Sequence, residues 1–219
     1  MSRIVVVGAH GRTGKLIVKQ LAAAGDSVVA TIRNPRHMAE MIKLGAEVVM
    51  LDLEKSTGPM FAAMFKGADA VVFAAGSGTG ETSEIDSKGV RKTLGATKKA
   101  GVKRYLAISS IGASTGMKLS GEWATAEMKD YYKHKRAAGK AITASGLDWT
   151  ILEPGELTEG KATGKVTMSF DAIAEKSISR ADVAAVAVAA LSSPKTIGKA
   201  LQLTSGKVAI ADAIKALGK

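Results

Sequence analysis

A chain of 219 residues with 46% hydrophobic composition is long enough to bury one generous core, and 1–219 reads as a single domain. The absence of cysteine excludes disulfides, thiolate nucleophiles and sulfur-built zinc sites, and it makes a cytoplasmic setting the expectation. Lys and Arg number 31 against 20 Asp and Glu, a formal charge of +11, yet the bases are spread through helical stretches and aromatics are only 4%, which argues for a solvated basic surface and against a nucleic-acid partner.

Ile4 to Val7, four β-branched or aliphatic residues, predict a short buried strand, and Gly8, Gly11 and Gly14 follow it in a GxxGxxG spacing. Leu16, Ile17, Leu21 and Ala24 then recur at helical intervals. Strand, glycine turn and helix in that order bring bare backbone against a pyrophosphate, whose charge sits on free amides and the positive end of the helix dipole. Gly8 serves the tight turn, Gly11 the close approach and Gly14 the packing of helix on strand.

A second strand, Ser27 to Ile32, ends in Arg33-Asn34-Pro35. That strand's end lies beside the adenosine ribose in a doubly wound sheet, and an arginine there suits a 2′-phosphate where an acid would suit free hydroxyls. Arg12, in the glycine turn, projects toward the same region, so NADP is favoured over NAD. Pro35 opens a helix to about Leu44, and Glu47 to Leu51 form a third strand. Asp52 follows, either accepting from the adenine amino group or capping the next turn.

Met60 to Phe65 predict a short helix and Ala70 to Phe73 a fourth strand. Ala74-Ala75-Gly76-Ser77-Gly78 leave room at its end for ribose and pyrophosphate, and 78–83 reads as a mobile loop. A helix from Ile85 to Ala100 leads to a fifth strand, Val102 to Ile108, which finishes at Ser109 and Ser110. Strands alternating with helices at this period imply right-handed βαβ units, a parallel sheet, and ligands at the strands' carboxyl ends.

Ala126 to Ala144 predict one helix carrying Tyr131 and Lys135 four residues apart, hence on one face. A free phenol is a poor acid or base near neutrality, and a lysine ammonium one turn away stabilises the phenolate. Ser110 is placed to hold a substrate oxygen beside it. Which of Tyr131 and Tyr132 meets the cleft depends on the helix rotation.

Leu147 to Leu152 predict a sixth strand broken by Pro154-Gly155, and 156–179 a short strand or hairpin outside the main sheet, covering the substrate. Ser179 caps an alanine-rich helix to about Leu191, with Arg180 and Asp182 read as helix-start residues. Lys199 to Thr204 predict a late strand and Ile210 to Leu217 a closing helix. No run is long enough to span a bilayer, no secretory signal is expected at Ser2-Arg3, and His10, His37 and His134 show no metal spacing.

Three stretches carry a family resemblance: GAHGRTG (Gly8 to Gly14), YLAISSIG (Tyr105 to Gly112) and YYKHKRAAGKAITASGLDWTILEPGELTEG (Tyr131 to Gly160). Together they resemble the short-chain dehydrogenase/reductase superfamily, specifically its atypical branch of small NAD(P)-binding oxidoreductases, similar to NmrA-like proteins and the flavin/biliverdin reductase type. The resemblance implies a Rossmann-type doubly wound α/β domain whose residues 156–219 supply substrate-side loops and closing helices.

It also implies cofactor contacts from Gly8, His10, Gly11, Arg12, Thr13, Gly14, Arg33, Asp52, Leu53, Ala74, Ala75, Gly76, Ser109, Lys135 and the Pro154-Gly155-Glu156-Leu157 loop. Ser110, Tyr131 and Lys135 are implied as the catalytic set, acting with NADP(H) on a small carbonyl, quinone or flavin-like substrate in a monomer or homodimer. Glu153 departs from the pattern, standing where many relatives have Arg before Pro-Gly. Several members of the branch bind the dinucleotide without known turnover, so an NADP(H)-sensing regulator acting through a protein partner stands as the alternative.

Overall fold

Strand β1 (Arg3–Val7) lies between β4 (Ala70–Phe73) and β2 (Ser27–Ile32) in a computed structural model that describes residues 1–76, 83–174 and 176–218. From β1 the chain runs outward through β2 to β3 (Ala46–Met50), then returns to β4 and continues outward through β5 (Arg104–Ile108) and β6 (Asp148–Pro154). All these neighbours pair in parallel, and the order reverses between β1 and β4. Such a reversal opens a crevice at the carboxyl ends of the strands.

The alternation along β1 explains why helices cover both faces. Ile4 and Val6 join one core with Ile17, Val18 and Leu21 of α1 (Arg12–Ala23) and with Val183, Val186 and Ala187 of α6 (Arg180–Leu191). Val5 and Val7 join another with Phe61 and Phe65 of α3 (Gly58–Phe65), Val90 and Leu94 of α4 (Val90–Lys99), and Ala138 and Ile142 of α5 (Ala126–Thr143). Buried on two sides, the strands are almost wholly apolar.

Local chemistry sets the element ends. Asn34 Oδ1 accepts from Arg36 N at 3.0 Å and caps a 3₁₀ turn, Pro35–His37, ahead of α2 (Met38–Lys43), so the helix expected from Pro35 begins as that tighter turn. Thr125 caps α5 through Met128 N, and Ser179 caps α6 through Asp182 N. The helix expected from Ile85 begins earlier and differently, as a π-helical turn Ser83–Gly89 running into α4. The loop expected at 78–83, apart from Ser83, lies outside the described residues, as do Ser77 and Gly78.

Two corrections concern the C-terminal third. Pro154 continues β6 instead of breaking it; its carbonyl accepts from Ile111 N, and a proline without an N–H costs nothing where the strand needs only an acceptor. The strand expected outside the main sheet is β8 (Lys165–Ser169), which pairs antiparallel with β10 (Lys199–Ser205) inside it, while β11 (Val208–Ala209) forms the edge. Val166 and Met168 alternate onto one core, which draws β8 into the sheet. The separate ribbon is instead β7 (Glu156–Thr158) with β9 (Ser177–Ser179). Helix α7 (Ile210–Ala216) closes the described chain, and no helix among the described residues is long and apolar enough to cross a membrane.

Candidate dinucleotide site

The glycine turn is built for close backbone contact. Gly8 has φ +79, open to glycine at little cost, and a Cβ there would stand 2.6 Å from Ala75. A side chain on Gly14 would overlap Gly8 O, so strand and helix meet at the distance glycine permits. Helix α1 starts at Arg12 behind Gly11, which offers no side-chain cap, and its first turn holds no acidic residue. Its leading amides and dipole therefore face outward without a competing carboxylate.

A cleft of about 600 Å³ opens at these strand ends. Gly8, His10, Gly11, Arg12 and Thr13 line it from the turn, Thr31, Arg33 and His37 from the end of β2, and Asp52 and Leu53 from the end of β3. Ala74, Ala75 and Gly76 follow β4, Ile108 and Ser109 close β5, and Tyr131 and Lys135 enter from α5. Leu157 and Arg180 complete the lining from the C-terminal third. An elongated ligand with negative charge at its middle fits a wall of amides and arginines, so these residues suit a nicotinamide dinucleotide.

At one end lies the ionisable centre. Lys135 Nζ is 2.6 Å from Asp86 Oδ1 and 5.4 Å from the centroid of the Tyr131 ring. Asp86 is 1% exposed and Lys135 6%, so this pair is dry. Burial by itself would lower the Lys135 pKa, but Tyr131 and Asp86 outweigh it and hold the ammonium above the usual lysine value. Tyr131 is half-buried and lines the cleft, while Tyr132 is 3% exposed and donates to Ile111 O at 2.9 Å. The two tyrosines thus have different stations.

At the other end, the His10 and His37 rings stack with centroids 3.3 Å apart and planes at 5°. Glu40 joins His10 Nε2 at 2.9 Å and accepts from Lys15 Nζ at 3.0 Å, and the Lys15 hydrogen bond chiefly holds its carboxyl below the usual range. Asp52 Oδ1 caps its turn, accepting from Glu54 N at 2.8 Å, and the residue also lines the cleft. Lys92 fastens that turn, donating to the carbonyls of Leu53, Glu54 and Ser56.

Of the residues expected here, Pro154, Gly155 and Glu156 do not line the cleft, although Leu157 does. Gly155 N is tied to Leu203 O, and a Cβ at Gly155 would collide with Lys176 O, so this stretch is used in joining β6 to its neighbours. Gly14 supports the turn from behind. Ser110 also stands back: its Oγ lies 3.4 Å from Tyr132 Oη, and Ser109 is the serine on the cleft. Glu153 is 1% exposed, accepts from Ser114 N and Oγ and from Gln202 Nε2, and is raised in pKa by burial against those bonds. It clamps the loop after β5 to β10.

Three residues at the site lie outside the motifs but carry signals of their own in the sequence. Asp86 precedes Val90 and Leu94 at helical spacing, and a carboxylate on a core-facing stripe needs a buried cation. His37 is fixed by Asn34-Pro35, whose turn directs it back toward the glycine turn. Arg180, read as a helix-start residue, does begin α6 but also lines the cleft, held by Leu157 O at 2.9 Å and Glu159 at 2.7 Å. Glu159 also reaches Arg12, at 3.2 Å.

A glycine turn at a topological switch point, facing a cleft with a tyrosine and a lysine one helical turn apart, defines a dinucleotide-binding α/β protein of the Rossmann type. A family profile described as NAD(P)H-binding matches residues 8–194, and the chain belongs to that family.

Relatives agree in sequence and in shape. The Bacillus subtilis protein YhfK, named an uncharacterized sugar epimerase, is 36% identical over 220 residues, covering 98% of this chain and 100% of that one. A Bacillus halodurans structure provisionally assigned as an NAD-dependent epimerase/dehydratase superposes with TM-score 0.88 at 34% identity, over 99% of this chain and 100% of that one. The Lactococcus lactis oxidoreductase ylbE superposes with TM-score 0.82 at 30% identity, over 98% and 96% of the two chains.

Proposed function

We propose that the chain is an NADP-dependent oxidoreductase that exchanges hydride between NADP(H) and a small carbonyl, quinone or flavin-like acceptor. The observation that carries this reading is the continuity of one cleft from Arg33, past the glycine turn, to Tyr131 and Lys135. When bound, the dinucleotide supplies the hydride chemistry of its nicotinamide ring.

The remaining work falls to side chains. The α1 amides and Arg12 hold the diphosphate, and Arg33 forks onto the 2′-phosphate. Tyr131 gives a proton to the substrate oxygen in reduction and takes it back in oxidation. Lys135, kept charged beside Asp86, supports the phenol and holds the adjoining ribose. Ser110 belongs to this set through Tyr132, and Ser109 is the serine within the cleft. That the Lactococcus lactis relative is named an oxidoreductase supports the class.

NADPH oxidation measured across aldehydes, ketones, quinones and flavins tests the proposal. Turnover is expected on at least one class, falling about 10²-fold or more in Tyr131→Phe, the size of a general acid's contribution. Undiminished turnover in that variant would remove Tyr131 from the mechanism. Because the Bacillus subtilis relative carries an epimerase name, nucleotide sugars belong in the panel, where product would form with no net change in dinucleotide.

The set-back position of Ser110 favours a second reading, an NADP(H)-sensing regulator that binds a protein partner. Tight dinucleotide binding with no turnover on any substrate, and a partner retained only with the dinucleotide, would select it.

A further inference from the structure

We propose that His37, stacked on His10 at the adenosine end of the cleft, is a second recognition group for the 2′-phosphate of NADP and takes up a proton as that phosphate arrives. The choice between NADP and NAD then depends on pH. This rests on the NADP reading above and adds a residue and a proton to it.

Both rings line the cleft on the same side as Arg33, and the capped turn Asn34 to His37 fixes where the second ring sits. Two imidazoles 3.3 Å apart repel one another if both are charged, so the pair accommodates one proton readily and a second only with added negative charge. Glu40 is committed to His10, whose Nε2 it meets at 2.9 Å.

His37 is left as the neutral partner. Burial against its neighbours first, and His10 second, hold its pKa below the ordinary histidine value. The charges around it are Glu40 from α2, Lys15 and Arg12 from α1, and Arg33 at the end of β2. Glu40 is engaged by Lys15 and His10, and Arg33 meets Glu54 only at 3.9 Å. A phosphate dianion placed between Arg33 and His37 reverses the local sign and favours the protonated ring.

A ligand that raises a histidine's pKa binds more tightly below the raised value and loses that advantage as pH climbs past it. The phosphate's own second ionisation, near pH 6, acts in the opposite direction, since more dianion forms as pH rises. Ordinary lysine and arginine side chains hold their charge across the range between. A preference for NADPH that weakens with rising pH therefore belongs to the histidines.

Calorimetric titration with NADPH and NADH at pH 6.5 and 8.5, each in two buffers of different ionisation enthalpy, tests the proposal on wild type, His37→Gln and Arg33→Ala. The expected result is a roughly tenfold loss of the NADPH advantage from the lower to the higher pH. Proton uptake at pH 6.5 should be larger for NADPH than for NADH. His37→Gln should remove both the slope and the extra uptake, whereas Arg33→Ala should lower the advantage at both pH values and keep the slope.

An NADPH advantage that holds within about twofold across the range, or a slope surviving in His37→Gln, would overturn the role of His37 and leave the NADP reading standing. Equal binding of NADPH and NADH at both pH values would take the NADP reading down with it.

Discussion

At the scale of single residues, the proposed function gives the site a phosphate-reading end and a proton-handling end. Arg33 is mostly exposed and meets its nearest acid only at 3.9 Å, so Arg33→Ala should cost little stability. It should weaken NADPH roughly ten- to hundredfold, the worth of a charge-assisted hydrogen bond, and NADH much less; equal losses by titration would refute its assignment. Asp86→Asn leaves Lys135 buried without a counter-charge and should cost about 3 kcal/mol in urea unfolding. Combining it with Lys135→Met should recover part of that loss, and simple additivity would show that the pair is uncoupled. These residues were unequally legible in sequence. Arg33 follows from its place after β2, and Tyr131 with Lys135 from a four-residue spacing. Between the tyrosines, the buried stripe Tyr132, Lys135, Ala138 and Ile142 places Tyr132 against the core and Tyr131 at the rim. Asp86 escaped because no motif names it; its role comes from a partner 49 positions away, seen only when the π-helical turn before α4 packs on α5.

At the scale of elements, hydrophobic period fixed most boundaries within a residue or two, and the failures share a physical cause. Beyond β6 the chain's contacts are distant in sequence: β8 finds β10 across α6, and β7 finds β9 across β8. Alternation predicts that such segments are strands without saying which edge they join. Glu153 belongs to this scale, because its carboxylate ties the loop after β5 to β10. Glu153→Gln would aim an amide N–H at donors from Ser114 and Gln202. The expected cost is about 1–3 kcal/mol, equivalent to a fall in Tm of roughly 2–10 °C for a chain of this length. The raised pKa adds a pH dependence: the folded state holds this proton more tightly than the unfolded chain, so the residue's contribution to stability grows as pH falls and is lost as pH rises through the raised value. The gap between wild type and Glu153→Gln should therefore widen from pH 7 to pH 5 in thermal melts; a constant gap would mean that Glu153 stays ionised throughout.

For the whole molecule, strands alternating with helices and a glycine turn after the first strand were enough to specify a doubly wound sheet and its ligand edge. Neither cue says what lies opposite Tyr131, because that depends on how segments distant in sequence pack together. The proposed function requires α1 amides, Arg12 and Arg33 to hold a dinucleotide with its redox ring toward Tyr131. Thermal melting with and without NADPH tests this most directly. At a hundredfold excess over Kd the ligand should stabilise the fold by about 2.7 kcal/mol, a rise in Tm of roughly 5–10 °C, and the rise should shrink in Arg33→Ala. No shift with NADPH or NADH, together with no heat of binding in calorimetry, would contradict it.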